Sequence, residues 1–473
     1  TAALCRIFVQ DGYRVAPFKA QNMALNSFVT RSGGEIGRAQ AVQAQAARVE
    51  PTTDMNPVLI KPSTDIRAQV IVHGKPYKNQ SALQYTAYKK KLFPIVKDSL
   101  ERLRGRYDIV VMEGAGSPAE VNLPNDIVNM SIAKASRSPV ILVGDIDKGG
   151  VLAWLVGTLD LLKRSERQLV KGIIINKFRG DLSLFKNGIS FLEKRTGVKV
   201  LGVLPYIHEM AVAEEDSVPL ETKKKDARPG TLRIGVVHLP HLSNFTDFDP
   251  LQQEEDVVLN YITTPEQVAE CDVVMLPGSK NTISDLHWMH HKGLDDAIAC
   301  HLSEKPEAVL VGICGGYQIL GLRIEDPLHI ESRRVATPGL GLLPVTTTLQ
   351  KEKQLCQVKG RTCDGGIEVK GYEIHHGETS YRAKCRPVIQ LTDPRKKPDG
   401  AVSGNGRIWG TYLHGIFDSD EFRRKFLNDV RARKGLEPLA EGSRYDPDTG
   451  IDKLAAVVRS HLDMKALYSI LRP

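Results

Sequence analysis

Twice along this chain, short runs of branched apolar residues alternate with longer stretches of helical periodicity. In the first half the apolar runs fall at 13–18, 108–112, 140–143, 172–175 and 198–203, with helical patterns such as 81–103 and 151–162 between them. In the second half they fall at 233–239, 256–261, 272–276, 308–313 and 408–413. An apolar run without in-and-out alternation suits a strand covered on both faces, and such strands alternate with helices in parallel sheets. The pattern predicts two doubly wound α/β domains. A length of 473 residues, more than one hydrophobic core organises, agrees with that division. A charged stretch at 221–230, containing Lys223, Lys224 and Lys225 and closing on Pro229-Gly230, marks the seam. The expected units are a first domain over 1–225, a linker over 226–232, a second domain over 233–435 and a tail over 436–473 with a helix near 451–471.

Composition excludes several classes. With 41% hydrophobic and 25% charged residues the chain has the makeup of a folded globular protein. No apolar run approaches the ~20 residues that span a bilayer. No signal-peptide pattern opens the chain, so the expected location is cytoplasmic, with no membrane partner. The cysteines (Cys5, Cys271, Cys300, Cys314, Cys356, Cys363, Cys385) are odd in number and lack zinc spacing, which suits a reducing compartment better than a disulfide frame. A net charge of +8 is modest and spread out, without a basic stripe interleaved with aromatics. The charge favours an anionic small molecule at least as well as a nucleic acid.

The most reactive pattern is Gly312-Ile313-Cys314-Gly315-Gly316, set between a strand-like run and a helical one. That is the strand–turn–helix context of a nucleophile elbow, with a thiol in place of a hydroxyl. The small flanking residues permit a cramped turn, and the helix N-terminus favours thiolate. A lone cysteine on a core strand is the bland alternative. Such a nucleophile needs a base, and His414, at the end of an apolar run and beside Gly415, is the first choice, with His375 and His376 as rivals. Backbone N–H groups of Gly315 and of the 276–282 turn, which contains Gly278, are the expected oxyanion donors.

In the first domain, acids and lysines fall at the ends of successive strands, where ligands sit in open α/β sheets. Lys19, Asn176 and Lys177 are the expected nucleotide-binding residues, the last two in a base-recognition loop, and Glu113 and Asp145 the expected Mg²⁺ ligands. Each of these is, singly, as well explained by a solvated loop.

Two resemblances extend this reading. The segments 276–282, 312–321 and 410–417 are similar to class I glutamine amidotransferase domains of the corrinoid branch. The likeness implies that Cys314 is the nucleophile of glutamine hydrolysis and His414 its base. Many such domains carry Glu two residues after the His; here that position is Ile416, and the third member of the site stays open, with Glu373 and Glu378 as weak candidates. The strings 17–27, 34–41, 56–62, 113–123, 145–150 and 176–184, together with Leu-Ser-Asn-Phe-Thr-Asp-Phe-Asp-Pro-Leu at 242–251, resemble cobyric acid synthases over nearly the whole chain.

That likeness implies a dethiobiotin-synthetase-like, P-loop-NTPase-like first domain. It also implies ATP- and glutamine-dependent amidation of peripheral carboxylates of adenosylcobyrinic acid a,c-diamide, giving adenosylcobyric acid in cobalamin biosynthesis. One departure stands out: members of that family open with a strand and a phosphate loop, and this sequence contains no G-x-x-x-x-G-K-[ST]. It begins near Ala2-Ala3-Leu4, where the following helix should be under way. The expectation is therefore a fragment whose sheet lacks its first strand and which binds ATP weakly. The competing readings are a cobyrinic acid a,c-diamide synthase, a non-catalytic corrinoid- or nucleotide-binding module, and a stand-alone glutaminase.

Overall fold

The second-half apolar runs assemble into one sheet. In the computed structural model, which describes residues 1–64, 67–121, 126–207, 230–393, 395–440 and 442–471, its strand order is Val257–Ile262, Leu232–Val237, Val273–Leu276, Val309–Ile313, Ile408–Thr411 and Ala401–Val402. The first five run parallel and the last antiparallel. The central strand Val309–Ile313 is buried along its whole length, as its unbroken apolar pattern requires. Thr282–Lys292, Leu294–Glu304, Gly315–Leu320 and Asp420–Arg433 are among its helices.

One element has no counterpart in the predicted series. Val345–Thr362 and Glu368–Tyr381 form a long antiparallel hairpin. Part of each strand alternates between buried and exposed positions, the signature of a sheet with one wet face. The hairpin's Tyr372 and Ile374 pack with Val29 of the first domain.

The first domain is more divided. Val15–Phe18 pairs in parallel with Ile109–Met112, and Val140–Asp145, Val170–Phe178 and Val200–Pro205 form a separate three-stranded parallel sheet. Among the described residues no strand joins the two pieces, and Val143 on the unpaired edge is 57% exposed. A further sheet of Gln21–Met23, Val58–Thr64, Arg67–Val72 and Lys75–Ser81 stands beside them. The predicted helices 81–103 and 151–162 are Ala82–Arg104 and Val151–Leu161.

The halves are sewn together by buried polar contacts. Asn244 Nδ2 donates to Ser27 O at 3.2 Å and to Tyr372 Oη at 2.8 Å. Lys61 and Lys353, one from each half, donate to the two oxygens of the fully buried Glu35 at 2.9 and 2.7 Å. Residues 226–229 of the predicted linker lie outside the described residues. The single predicted tail helix is two, Pro447–His461 and Met464–Leu471. They return to the first domain: Arg6, 1% exposed, reaches Asp448 and Asp452, and Arg459 meets Asp11 at 2.8 Å. No helix among the described residues is long and apolar enough to cross a membrane.

Candidate active site

The strand Val309–Ile313 ends in a turn that places Cys314 at φ 52° and ψ −104°. A residue with a Cβ avoids positive φ, and holding it there costs about 1–3 kcal/mol unless the surroundings impose it. They do so here through backbone hydrogen bonds: Cys314 N–H to Thr411 O at 2.8 Å, Gly316 N–H to Pro277 O at 3.0 Å and Gln318 N–H to Cys314 O at 3.1 Å. Glycine is needed on both sides. A Cβ on Gly312 would come 2.6 Å from the Gly316 carbonyl carbon, and one on Gly315 would come 2.8 Å from Ser279 N. The strained turn carries a sulfur, 3.8 Å from Ile374 O, into a cleft of about 660 Å³.

His414 reaches that sulfur because of sheet order. Strand Ile408–Thr411 lies beside Val309–Ile313 with Thr411 opposite Ile313, so a residue three positions further on meets the elbow. Its backbone exchanges hydrogen bonds with Tyr372, and its ring stacks on Tyr372 at 5.2 Å between centroids. His414 Nδ1 donates to Asp247 Oδ2 at 2.7 Å, while Asp247 Oδ1 accepts the Gly415 N–H at 2.9 Å. That fixes the imidazole and leaves the opposite nitrogen for Cys314, which lines the same cleft. Burial disfavours the imidazolium, but Asp247 and Cys314 outweigh it, and the His414 pKa is pushed up to about 10. A thiol, an imidazole and a carboxylate thus stand in line, buried to 5%, 1% and 3% exposure.

The expected oxyanion donors lie against this line. Gly315 opens the helix Gly315–Leu320, whose first N–H groups have no partner within the helix. Gly278 and Ser279 pair antiparallel with Leu242 and Ser243, and a Cβ on Gly278 would come 3.1 Å from His414 Cε1.

Sequence reasoning missed the third residue and its weak candidates fail. Glu373 binds Arg395 at 2.6 Å and lies 3.7 Å from His375, and Glu378 accepts from Gln350 on the hairpin. The rival bases are engaged elsewhere as well: His375 Nδ1 bonds Gly377 O at 2.7 Å and His376 Nδ1 bonds Gln350 O at 3.0 Å. Asp247 sits 167 residues before His414, on the short helix Phe245–Phe248. The available signal was its place in the 242–251 string, an acid just beyond the end of strand Leu232–Val237.

The first-domain candidates fall into two ion-paired groups. Lys19 Nζ meets Glu113 Oε1 at 2.8 Å, and Gln43 donates to the other Glu113 oxygen at 2.6 Å. Burial resists ionisation of Glu113, but the Lys19 ammonium beside it holds its carboxyl below the usual range. On the other sheet piece, Lys177 meets Asp145 at 2.9 Å, and Asn176 lies opposite Asp145 in the parallel register. Lys177, at φ 62°, and Asp145 are 46% and 33% exposed. Among the described residues no three metal-ligating side chains cluster. A Mg²⁺ held by one or two carboxylates, with phosphate and water filling its remaining positions, needs no such cluster, and Glu113 and Asp145 fit that role chemically.

Comparison with known proteins joins the two halves. Residues 1–220 match a model described as the CobQ/CobB/MinD/ParA nucleotide binding domain, and 233–422 one described as the CobB/CobQ-like glutamine amidotransferase domain. Proteins named cobyric acid synthase match along almost all of the chain. That of Clostridium kluyveri is 47% identical over 99% of this chain and 95% of its own length. Those of Thermoanaerobacter sp. and Dehalococcoides mccartyi strain 195 are each 48% identical over 99% of this chain, and over 95% and 94% of their own lengths.

The chain belongs to the cobyric acid synthase family. Cys314, His414 and Asp247 all fall inside the matched amidotransferase domain, and Lys19, Glu113, Asp145, Asn176 and Lys177 inside the matched nucleotide-binding domain.

Proposed function

We propose that this chain amidates peripheral carboxylates of adenosylcobyrinic acid a,c-diamide, using glutamine as nitrogen donor and ATP to activate the acceptor, and so yields adenosylcobyric acid. The observation that carries the reading is the buried Cys314–His414–Asp247 line in a cleft whose other wall includes Lys61, Gln69 and Pro76 of the first domain. A nitrogen released there is already at the seam with the synthetase half.

The chemistry follows from the groups present. Cys314 Sγ attacks the side-chain carbonyl of glutamine with a proton already held on His414, whose pKa is raised to about 10, and the developing oxyanion is met by N–H groups of Gly315 and the 278–279 backbone. His414 returns the proton to the departing nitrogen, leaving a thioester and ammonia. Water, its proton taken by His414, cleaves the thioester to glutamate and restores the thiol. Asp247 holds the ring in one orientation throughout.

In the first domain ATP would supply the phosphoryl group that turns an acceptor carboxylate into an acyl phosphate. Lys19 and Lys177 supply charge for the phosphates, Asn176 a base contact, and Glu113 and Asp145 carboxylates for Mg²⁺. The two Lys–acid pairs support this: a nucleotide–metal complex offers an anion to each lysine and a cation to each acid, so both pairs exchange partners without leaving a charge bare. All seven cysteines are free thiols, which supports a cytoplasmic setting.

The test is incubation with glutamine, ATP–Mg²⁺ and the corrinoid diamide, counting amide-for-hydroxyl mass shifts. Cys314→Ala is expected to abolish product from glutamine and to keep product from ammonium salts. Loss with both nitrogen sources contradicts the two-site scheme.

A further inference from the structure

The proposed chemistry leaves several charged side chains of the Cys314 cleft unused: Lys280 and Glu331, and also Arg333 and Lys351. Lys280 follows the Gly278–Ser279 segment directly, its backbone fixed by an N–H donated to His241 O at 3.0 Å. Glu331 comes from the other direction, on the 329–332 loop. That loop is tied down by Asp326, which accepts the N–H groups of Ile330, Glu331 and Ser332 at 2.7, 2.9 and 2.8 Å. The Glu331 carboxylate accepts the Ile283 N–H at 3.2 Å, on the first turn of helix Thr282–Lys292. Both residues line the cleft together with Cys314 and Gly315.

Two of the other cations of this cleft are engaged elsewhere. Lys61 and Lys353 both hold Glu35, which is fully buried. Lys280 faces them: burial first, then Lys353 and Lys61, push its pKa down to about 8, while Glu331 is the strongest influence the other way. Burial lifts Glu331 to about 7 against the pull of Lys280. A cation and an acid partly withdrawn from water in a cleft are costly unless something of matching charge comes between or beside them.

Glutamine has the matching pattern. Its amide end must meet Cys314, and its other end carries one carboxylate and one ammonium. Building on the glutaminase reading above, we propose that Lys280 and Glu331 form the subsite for the amino-acid head of the donor: Lys280 binds its α-carboxylate and Glu331 its α-ammonium. The cleft thereby selects a zwitterionic amide over simple amides. It also fixes the distance from head group to sulfur, so that the side-chain amide arrives at the elbow.

Analogues that each lack one charge test this with the full chain. Glutaramate keeps the carboxylate and lacks the ammonium, and 4-aminobutanamide keeps the ammonium and lacks the carboxylate. Ammonia release is measured from both and from L-glutamine. Lys280→Met is expected to raise the KM for L-glutamine by about 10- to 100-fold, the worth of a hydrogen bond to a charged group, with kcat within a few-fold. It is expected to leave 4-aminobutanamide hydrolysis unchanged, since that substrate has nothing for Lys280 to bind. Glu331→Gln should show the mirror pattern, weakening L-glutamine and sparing glutaramate. Lys280→Arg, which keeps the charge, should retain most of the wild-type selectivity.

Equal losses on all three substrates would mark the residues as structural and overturn the assignment, as would an unchanged KM in both variants. In either case a wild-type activity that vanishes in Cys314→Ala leaves the glutaminase reading intact. A wild-type chain that releases no ammonia from L-glutamine overturns both.

Discussion

The two candidate sites of this protein are built on opposite plans. Around Cys314 each group is held in its working position before any substrate binds. A strained turn presents the sulfur, Asp247 orients the imidazole, and the Gly415 N–H fixes Asp247. All three side chains are buried. In the first domain the expected ligands hold one another instead, Lys19 with Glu113 and Lys177 with Asp145, and the second pair is substantially exposed. A rigid, dry arrangement suits chemistry whose transition state carries charge at one oxygen, where preorganised donors act strongly. Charges that neutralise each other suit a site that must trade partners with a highly charged substrate. The difference teaches that the proposed thiol site is already arranged without a ligand, whereas the proposed nucleotide site would be completed by one.

The sharpest way to break this contrast is at Asp247. Asp247→Asn should leave the fold and the glutamine KM nearly unchanged and lower kcat for glutamine hydrolysis about 10²- to 10⁴-fold, because the ring loses its orienting acceptor. A change within twofold would show that the line of three is structural. Second in size, Lys19→Met should lower ammonia-dependent amidation by about 10²- to 10³-fold, the scale for removing one donor to a developing charge. Glutamine hydrolysis should stay within twofold; an equal fall in both would mean that the two sites are not separable.

The smallest effect is on stability against pH. His414 is raised from its ordinary 6.5 to about 10, so the folded protein keeps a proton that the unfolded chain has released. The stabilisation is complete below about pH 6.5 and is lost as pH rises toward 10. Denaturant unfolding should show stability falling across that interval, by on the order of 1–3 kcal/mol more in the wild type than in Asp247→Asn. Parallel slopes would show that Asp247 does not hold the proton.

Legibility in the sequence followed periodicity. The buried parallel strands, such as Val309–Ile313 and the 172–175 core of Val170–Phe178, were readable because a strand segment covered on both faces is apolar without a break. The hairpin Val345–Thr362 with Glu368–Tyr381 was not, since strands with one wet face mix Thr, Lys and Gln among the apolar positions. Cys314 and His414 were legible through local chemistry: a thiol between glycines, and a histidine at a strand end. Asp247 was hidden because it belongs to the same site only through the sheet order, which brings the ends of distant strands together. Lys280 and Glu331 likewise meet only in space, from loops that no local pattern connects.

The return of helix Pro447–His461 to helix Ala2–Gln10 has a bearing on synthesis. Ile451, Ala455 and Val458 complete the apolar cluster that contains Cys5, Ile7 and Phe8, so part of the first domain's core is synthesised after the amidotransferase half. The amidotransferase half, whose sheet and surrounding helices all lie between Leu232 and Arg433, has its full complement of residues earlier. Vectorial production therefore favours an order in which the later-encoded half matures first, and its partner closes only after helix Pro447–His461 has emerged.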